Sequence, residues 1–408
     1  MKLYHKDVSL TLSVIFLFLI GINVNCGVSS TSIDESIFEI SVEWQKHLKQ
    51  TREIGPDDNF LSSPLGISVL LAQIRIFANV KLKDAINTLL NWGKGEGNTV
   101  HLEFRRELDA MALHDDEVFK LKCQNAIFMP RQSNVSEIAE DLLKDHYDTN
   151  LVKLDWENRN LAQQTINDWV RRNSENLIQS LSLPPNIQMA LANVLYFEAE
   201  WLDPLDVRMT KRGPFKVTKD KTVEVDYMQF SEELQFAEDT YYLKCKVIVK
   251  PYRTSKSYEN NRVNMYIILP DENNDIDNLV EIISDLNFNQ MLQGAEIQKV
   301  SYQIPKVNLK SKFKFKPFLS KYYGENLSYE VNGLTLDRET LFIDDISQET
   351  VLEVDEKGTR AASLSTSTID YSSSQKTFKV DRPFIMLIRE ENTKFVLFWA
   401  TVRNPTKN

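Results

Sequence analysis

The sequence predicts a large α+β domain, helix-rich in its first half and strand-rich in its second, and three observations lead there. Apolar residues recur at helical spacing as far as Asn176, apolar strand-like runs take over after Pro214, and no Pro/Gly/Ser-rich linker, internal repeat or charge block divides the chain. Apolar residues make up 42% of the 408 positions, enough to bury a sizeable single core.

The N-terminus is set apart from that domain. Lys2 and Lys6 precede an apolar block from Leu10 to Ile20, and short residues follow at Asn25, Cys26 and Gly27. The block is shorter than the roughly 20 residues a membrane-spanning helix requires, so residues 1–26 are expected to be a secretory leader and 27–408 the folded domain. Helical periodicity then predicts Ile33 to Lys49, a helix opened by Pro64 after Ser63, Leu82 to Leu90, Val100 to Met111, Val135 to His146 and Asn160 to Asn176. Strands are expected at Phe119 to Met129 and Gln188 to Phe197, the second nearly unbroken in apolar character and therefore buried on both faces. Beyond Pro214 the predicted strands are Phe215 to Thr218, Thr222 to Met228, Leu243 to Pro251, Asn264 to Leu269, Val300 to Val307 and Phe395 to Val402, with one helix at Ile276 to Asn287.

Composition excludes several functions. The net charge of −10 becomes more negative once Lys2 and Lys6 leave with Asp7, which argues against a nucleic-acid partner. No later stretch is apolar enough for a membrane helix, and a monomer is expected. Without Cys26 only Cys123 and Cys245 remain, to pair or to stay reduced. Asn134-Val135-Ser136 and Asn326-Leu327-Ser328 are glycan acceptor triplets at Asn134 and Asn326. No Gly-x-Ser-x-Gly elbow, His-Glu-x-x-His pair or glycine-rich phosphate loop occurs, so neither enzyme nor metal nor cofactor is expected. Of the histidines, His5 leaves with the leader, and His47, His101, His114 and His146 all precede residue 147. His101, with Arg105 and Arg106, reads as part of an ordinary solvated helix because Glu103, Glu107 and Asp109 cancel the charge. The alternation Lys312-Phe313-Lys314-Phe315-Lys316 reads as an amphipathic strand with Phe inward and Lys outward, a weak polyanion contact being the lesser alternative.

One region remains unexplained by structure alone. Val354-Asp355-Glu356-Lys357-Gly358-Thr359 leads into a long polar segment of small residues without proline, ending before Asp381-Arg382-Pro383-Phe384. Alternate residues from Thr359 put Ala361, Ser363, Ser365, Ser367 and Ile369 on one side, and Arg360, Ala362, Leu364, Thr366, Thr368 and Asp370 on the other. The first side is uncharged, so the segment could enter a sheet in one register, whereas a slip by one would bury Arg360 and Asp370. On composition alone a flexible or O-glycosylated loop is the competing reading.

Glu356-Lys357-Gly358-Thr359 with Ala361 and Ala362 resembles the hinge of the serpin family. The likeness extends to Asn59 to Pro64, Thr165 to Val170, Leu191 to Trp201, Met265 to Pro270, Ile304-Pro305-Lys306, Arg382-Pro383-Phe384, and Val396 to Ala400 with Asn404-Pro405. The resemblance implies one domain with three sheets, about nine helices and an exposed reactive loop at about 358–378. It further implies a secreted inhibitor that forms a covalent complex with a serine-type protease. The protease cleaves the loop and is acylated, and the freed upstream segment inserts into the main sheet before the ester is hydrolysed. Family spacing puts the reactive bond at Ser372-Ser373, or at Tyr371-Ser372, suiting an elastase-type or a chymotrypsin-type pocket respectively. It assigns the hinge to Glu356, Gly358, Thr359, Ala361, Ala362, Ser363 and Ser365, and sheet opening to Ser63, Asn193, Trp201 and Gln348. The chain departs from the family pattern with Gly66 for a serine, Gln348 for a histidine, and Phe77 and Ala199 for glycines. These departures, with Leu364 large in the hinge, keep open a non-inhibitory carrier, binding protein or decoy substrate.

Overall fold

In the computed structural model, the described residues are 32–93, 99–111, 119–184, 187–253, 262–324, 327–337, 340–359 and 375–407. Nine α-helices occur among them: α1 (Ile33–Gln50), α2 (Pro64–Phe77), α3 (Val80–Leu89), α4 (Thr99–Ala110), α5 (Glu137–Tyr147), α6 (Arg159–Asn173), α7 (Ile276–Ile282), α8 (Asp285–Gln293) and α9 (Lys316–Tyr323). The strands are β1 (Phe60–Ser62), β2 (Phe119–Pro130), β3 (Thr149–Leu154), β4 (Met189–Glu200), β5 (Lys211–Lys216), β6 (Thr222–Asp239), β7 (Cys245–Pro251) and β8 (Val263–Pro270). They continue with β9 (Glu296–Pro305), β10 (Val307–Lys314), β11 (Glu330–Val331), β12 (Leu341–Val354), β13 (Gly358–Thr359), β14 (Lys376–Lys379), β15 (Phe384–Glu390) and β16 (Val396–Val402).

The helices form where sequence and burial agree. In α1, Ile37, Ile40, Trp44 and Leu48 fall on one buried stripe, and Trp44 meets Phe60, Phe313 and Phe315 edge-on. Helix α2 is buried nearly all round, as a central helix must be, and its first turn is fixed by Pro64 and by the Ser63 hydroxyl accepting from the Gly66 N–H at 3.1 Å.

One sheet runs β10-β12-β13-β4-β2-β3, with β11 paired to β12. The other runs β1-β16-β15-β8-β7-β6-β9-β14, with β5 paired to β6. The expected second and third sheets are continuous here because the 18-residue β6 carries three neighbours in succession: β5 at Thr222 to Tyr227, β9 at Tyr227 to Phe236, and β7 at Gln235 to Asp239. A single buried cluster extends from Ile37 to Val402 between the sheets and around α2, and a smaller one lies under α6.

Several expectations need correction. The helix expected at Ile276 to Asn287 is two helices, because Ser284 and Asn287 form a reciprocal capping box that starts α8. Strand β5 lies earlier than Phe215 to Thr218, since its exposed Lys211 and Arg212 obscure the pattern. Cys123 and Cys245 are both free and buried, on β2 and β7 in different sheets, which excludes a disulfide between them. The Lys/Phe alternation holds only to Lys314: Lys312 points out to Glu349 at 2.6 Å, but Lys316 starts α9 and donates to the Ile343 carbonyl at 2.7 Å. His101 does not lie on a solvated face. It is 1% exposed, between Arg75 and the Tyr147 hydroxyl, and burial followed by the Arg75 charge pushes its pKa down to about 3. Arg105 lies apart from it, paired with Asp109 and Asp148.

Candidate functional site

The site is built where the main sheet has not finished pairing. Strands β4 and β12 are parallel and bonded directly from Ile343↔Met189 to Gln348↔Asn193. At the other end β13 lies between them, antiparallel to both, with Thr359 opposite Val354 on one side and Ala199 on the other. A two-residue strand contributes little by itself, so the turn before it carries the fixation. Asp355 N–H donates to the Gly358 carbonyl at 2.9 Å, and Lys357 N–H to the Asp355 carboxylate at 2.8 Å.

Gly358 is needed at this point. Its φ is +152°, and a Cβ there would stand 2.0 Å from the Ala199 carbonyl oxygen and 2.9 Å from Glu200 Cα. Both obstacles are backbone, so no side-chain movement relieves them.

Thr359 is 1% exposed, and its hydroxyl pairs with the Tyr252 hydroxyl at 2.7 Å. Burial pushes the Tyr252 pKa well above the phenol range, the Thr359 bond opposing it, so the phenol stays protonated as a neutral hydrogen-bonding group. Tyr252 in turn stacks on Trp201, ring centroids 4.5 Å apart and 14° from parallel. Trp201 holds the turn with two donors: its backbone N–H to the Lys357 carbonyl and its indole N–H to the Asp355 carbonyl, each at 2.9 Å.

Glu356 is buried and ion-paired. Its carboxylate accepts from Lys306 Nζ at 2.7 Å and from the Thr210 hydroxyl, and its carbonyl accepts from Leu205 N–H at 2.8 Å. Burial alone would raise its pKa, but the bonds from Lys306 and Thr210 outweigh burial and hold it below the ordinary glutamate value.

Farther down the sheet, Gln348 reaches from β12 to Ser63 before α2. Its amide accepts from Ser63 N–H and donates to the Ser63 carbonyl, both at 2.8 Å. Opposite it, Asn193 donates to the Asn125 side chain at 2.8 Å and to Cys123 Sγ at 3.3 Å. Burial pushes the Cys123 thiol up to about 11, so it stays protonated. Gly66 makes room for this arrangement, since a Cβ would come within 2.0 Å of Asn193 Oδ1. Of the other departures, Phe77 closes α2 and Ala199 supplies the carbonyl against Gly358.

The structure therefore brings Glu356, Gly358, Thr359 and Trp201 together at one end, and Ser63, Asn193 and Gln348 together below. Ala361, Ala362, Ser363, Ser365, Tyr371, Ser372, Ser373 and Asn326 lie outside the described residues. Asn134 is exposed. On the downstream side, Gln375 donates to the Ser231 hydroxyl, and β14 pairs parallel with β9. Thr210 and Tyr252 were not legible as site residues, because they reach Glu356 and Thr359 from separate parts of the chain and carry no local motif.

A family model described as serpin (serine protease inhibitor) matches residues 38–405. A serine protease inhibitor of Cyanea capillata is 27% identical over 367 residues, covering 86% of this chain and 93% of that protein. Neuroserpin of Mus musculus is 24% identical over 396 residues, covering 92% of each. Among solved structures, human thyroxine-binding globulin complexed with thyroxine aligns with a TM-score of 0.79 at 23% identity, over 92% of this chain and 99% of that one. Serpin48 of Tenebrio molitor aligns at 0.73 and 24% identity, over 91% and 97%. At these identities the structural likenesses establish the fold alone.

Proposed function

Because the chain belongs to the serpin family, whose members are generally protease inhibitors rather than catalysts, we propose that it inhibits a serine-type protease by a suicide-substrate mechanism. The observation that carries this reading is β13. Its pairs with Val354 and Ala199 already set the register in which a freed segment would continue. Extended two residues at a time, that register would lay Ala361 between Leu352 and Phe197, Ser363 between Thr350 and Leu195, and Ser365 between Gln348 and Asn193. Leu352, Thr350 and Gln348 are buried, and the residues arriving opposite them are small and uncharged.

On this proposal the protease attacks at Ser372-Ser373, or at Tyr371-Ser372, and is held as an acyl-enzyme on the upstream segment. That segment replaces the direct β4–β12 pairing with bonds on both of its own edges. At about 1 kcal/mol net per backbone hydrogen bond, the gain is on the order of 10 kcal/mol before packing, enough to drag the attached protease along. A small or aromatic residue before the cut points to an elastase-type or chymotrypsin-type target.

Incubation with elastase-type and chymotrypsin-type proteases should give a covalent complex that survives denaturing electrophoresis. Clean cleavage of the loop without such a complex would overturn the proposal. The second reading, a carrier, binding protein or decoy substrate, is favoured by Leu364, large for a hinge position, and by the departures from the family pattern at Gly66 and Gln348. It predicts that nicking the loop leaves the melting temperature nearly unchanged, where insertion would raise it sharply. We also propose export with loss of residues 1–26 and a glycan on Asn134; N-terminal sequencing and glycosidase-sensitive mass of the secreted chain decide both.

A further inference from the structure

A lysine side chain near the end of a strand ordinarily reaches solvent, and Lys250 is the penultimate residue of β7. Its side chain is nevertheless 2% exposed, beneath the ring that holds the hinge turn. Its ammonium donates to Glu232 on β6 at 2.6 Å and to the Asp203 carbonyl at 3.3 Å. It lies 5.3 Å from the Trp201 ring centroid and 5.6 Å from that of Tyr302, within cation–π range of both. Tyr302, on β9, donates its hydroxyl to the same Glu232 oxygen.

A buried ion pair is a poor means of stabilising a fold, since apolar residues of similar volume usually do as well. What it supplies is a fixed position. Trp201 rests on this cation with one contact and grips the turn with two others, at the carbonyls of Asp355 and Lys357. Its stacking partner Tyr252 holds Thr359. The adjacent residue of β6, Ser231, holds Gln375 at the downstream end of the loop. Neighbouring positions of one strand thus reach both ends of the segment proposed to be cleaved.

We infer that Lys250 is a positioning residue for the hinge: clamped by Glu232, it sets the place of Trp201, and through Trp201 the point at which the upstream segment enters the sheet. This rests on the inhibitory reading above. It goes beyond that reading in assigning the accuracy of entry to an ion pair outside the loop and outside both strands that part.

The test is the apolar double variant E232L/K250M, which removes both charges together. Its melting temperature should stay close to that of the parent. Amide exchange at Trp201, Leu205 and Asp355 should accelerate at least tenfold while β15 and β16 remain unchanged. With a protease that the parent traps one for one, the double variant should need at least three inhibitor molecules per protease trapped, the excess appearing as cleaved chain. Unchanged stoichiometry would overturn the inference, because a merely structural role moves melting and not partition. If the parent traps no protease, the inhibitory reading fails, and exchange at those three amides decides the positioning role by itself: acceleration supports it and retained protection refutes it. Should the double variant not fold, E232D, which keeps both charges but withdraws the carboxylate by one methylene, offers the same choice on the same readouts.

Discussion

Replacing Gly358 by alanine is a small chemical change with a large expected consequence. The added Cβ would lie 2.0 Å from the Ala199 carbonyl oxygen, 3.0 Å from its carbon and 2.9 Å from Glu200 Cα, and all three are backbone atoms of β4. Alanine also disfavours a φ of +152°. Backbone strain of this kind costs about 1–3 kcal/mol where the surroundings enforce it. Here they do not, because β13 is short and can leave. The expected outcome is therefore displacement of β13 from β4. At about 2 kcal/mol the seated fraction falls roughly 30-fold relative to the unseated one. Amide exchange measures this directly at Trp201 N–H, which is bonded to Lys357 O, and at Asp355 N–H, which is bonded to Gly358 O. Both should lose protection while the amides of β2 keep theirs, and complex formation with a trapped protease should slow in parallel. If the alanine variant retained full protection at both amides, Gly358 would not be a steric requirement and β13 would not be the seed of the inserted strand.

Two further perturbations test the lower and upper parts of the site. Gly66→Ala should displace the Asn193 amide from Asn125 and Cys123, costing about 2 kcal/mol for the lost buried bonds, whereas Gly66→Ser should lose less because its hydroxyl can donate to Asn193 Oδ1. Chemical denaturation at one scan rate compares them, and equal midpoints for the alanine variant and the parent would exclude the steric account. Glu356 sets an acid limit. Its folded pKa is held below the ordinary value, so its contribution is complete above about pH 5 and is lost as pH falls below about 4.5 through the folded value. Glu356→Gln should cost about 1.5 kcal/mol at neutral pH and flatten that part of the stability profile, and an unchanged acid limb would refute the assignment.

How far the site could be read from sequence depended on whether its cause was local. The Ser63-Pro64 helix start and the buried run of β4 are set by local pattern, and both were legible; the glycine before Thr359 was identified through the family resemblance, its steric cause lying in the distant backbone of Ala199 and Glu200. Strand β15 escaped notice because it ends in Arg389 and Glu390, the first buried through bonds to Tyr266 and Asn289 that only the tertiary fold supplies, the second through a bond to Thr393 in the turn that follows. Strand β12 gave no apolar pattern along most of its length, since Asp344, Asp345, Gln348 and Glu349 interrupt it: Asp344 accepts from Gln188 N–H, Gln348 bonds Ser63, Glu349 pairs with Lys312, and buried Asp345 accepts from the Ser347 hydroxyl. Tyr252 and Lys250 looked like ordinary members of a strand end, because nothing near them in the chain indicates that Thr359 or Trp201 will lie against them.

On the proposed mechanism, the polar residues within the main sheet would let it be both folded and ready to part. An apolar seam between β4 and β12 would close by the same contacts everywhere and would have no preferred place to part. Here the closed portion ends at Gln348↔Asn193, where each side chain is committed to a different neighbour, Ser63 for one and Asn125 with Cys123 for the other. Neither of those bonds runs between the two strands, so separating them breaks the backbone pairing without leaving a buried amide newly unsatisfied. At the far end the opening is already occupied by Gly358 and Thr359, which are held by Trp201 and Tyr252 and not by the pairing that must be lost. On the proposed mechanism, entry would therefore proceed from a fixed start toward a boundary that gives way at the cost of its backbone pairs alone, with each residue gained replacing one such pair by two.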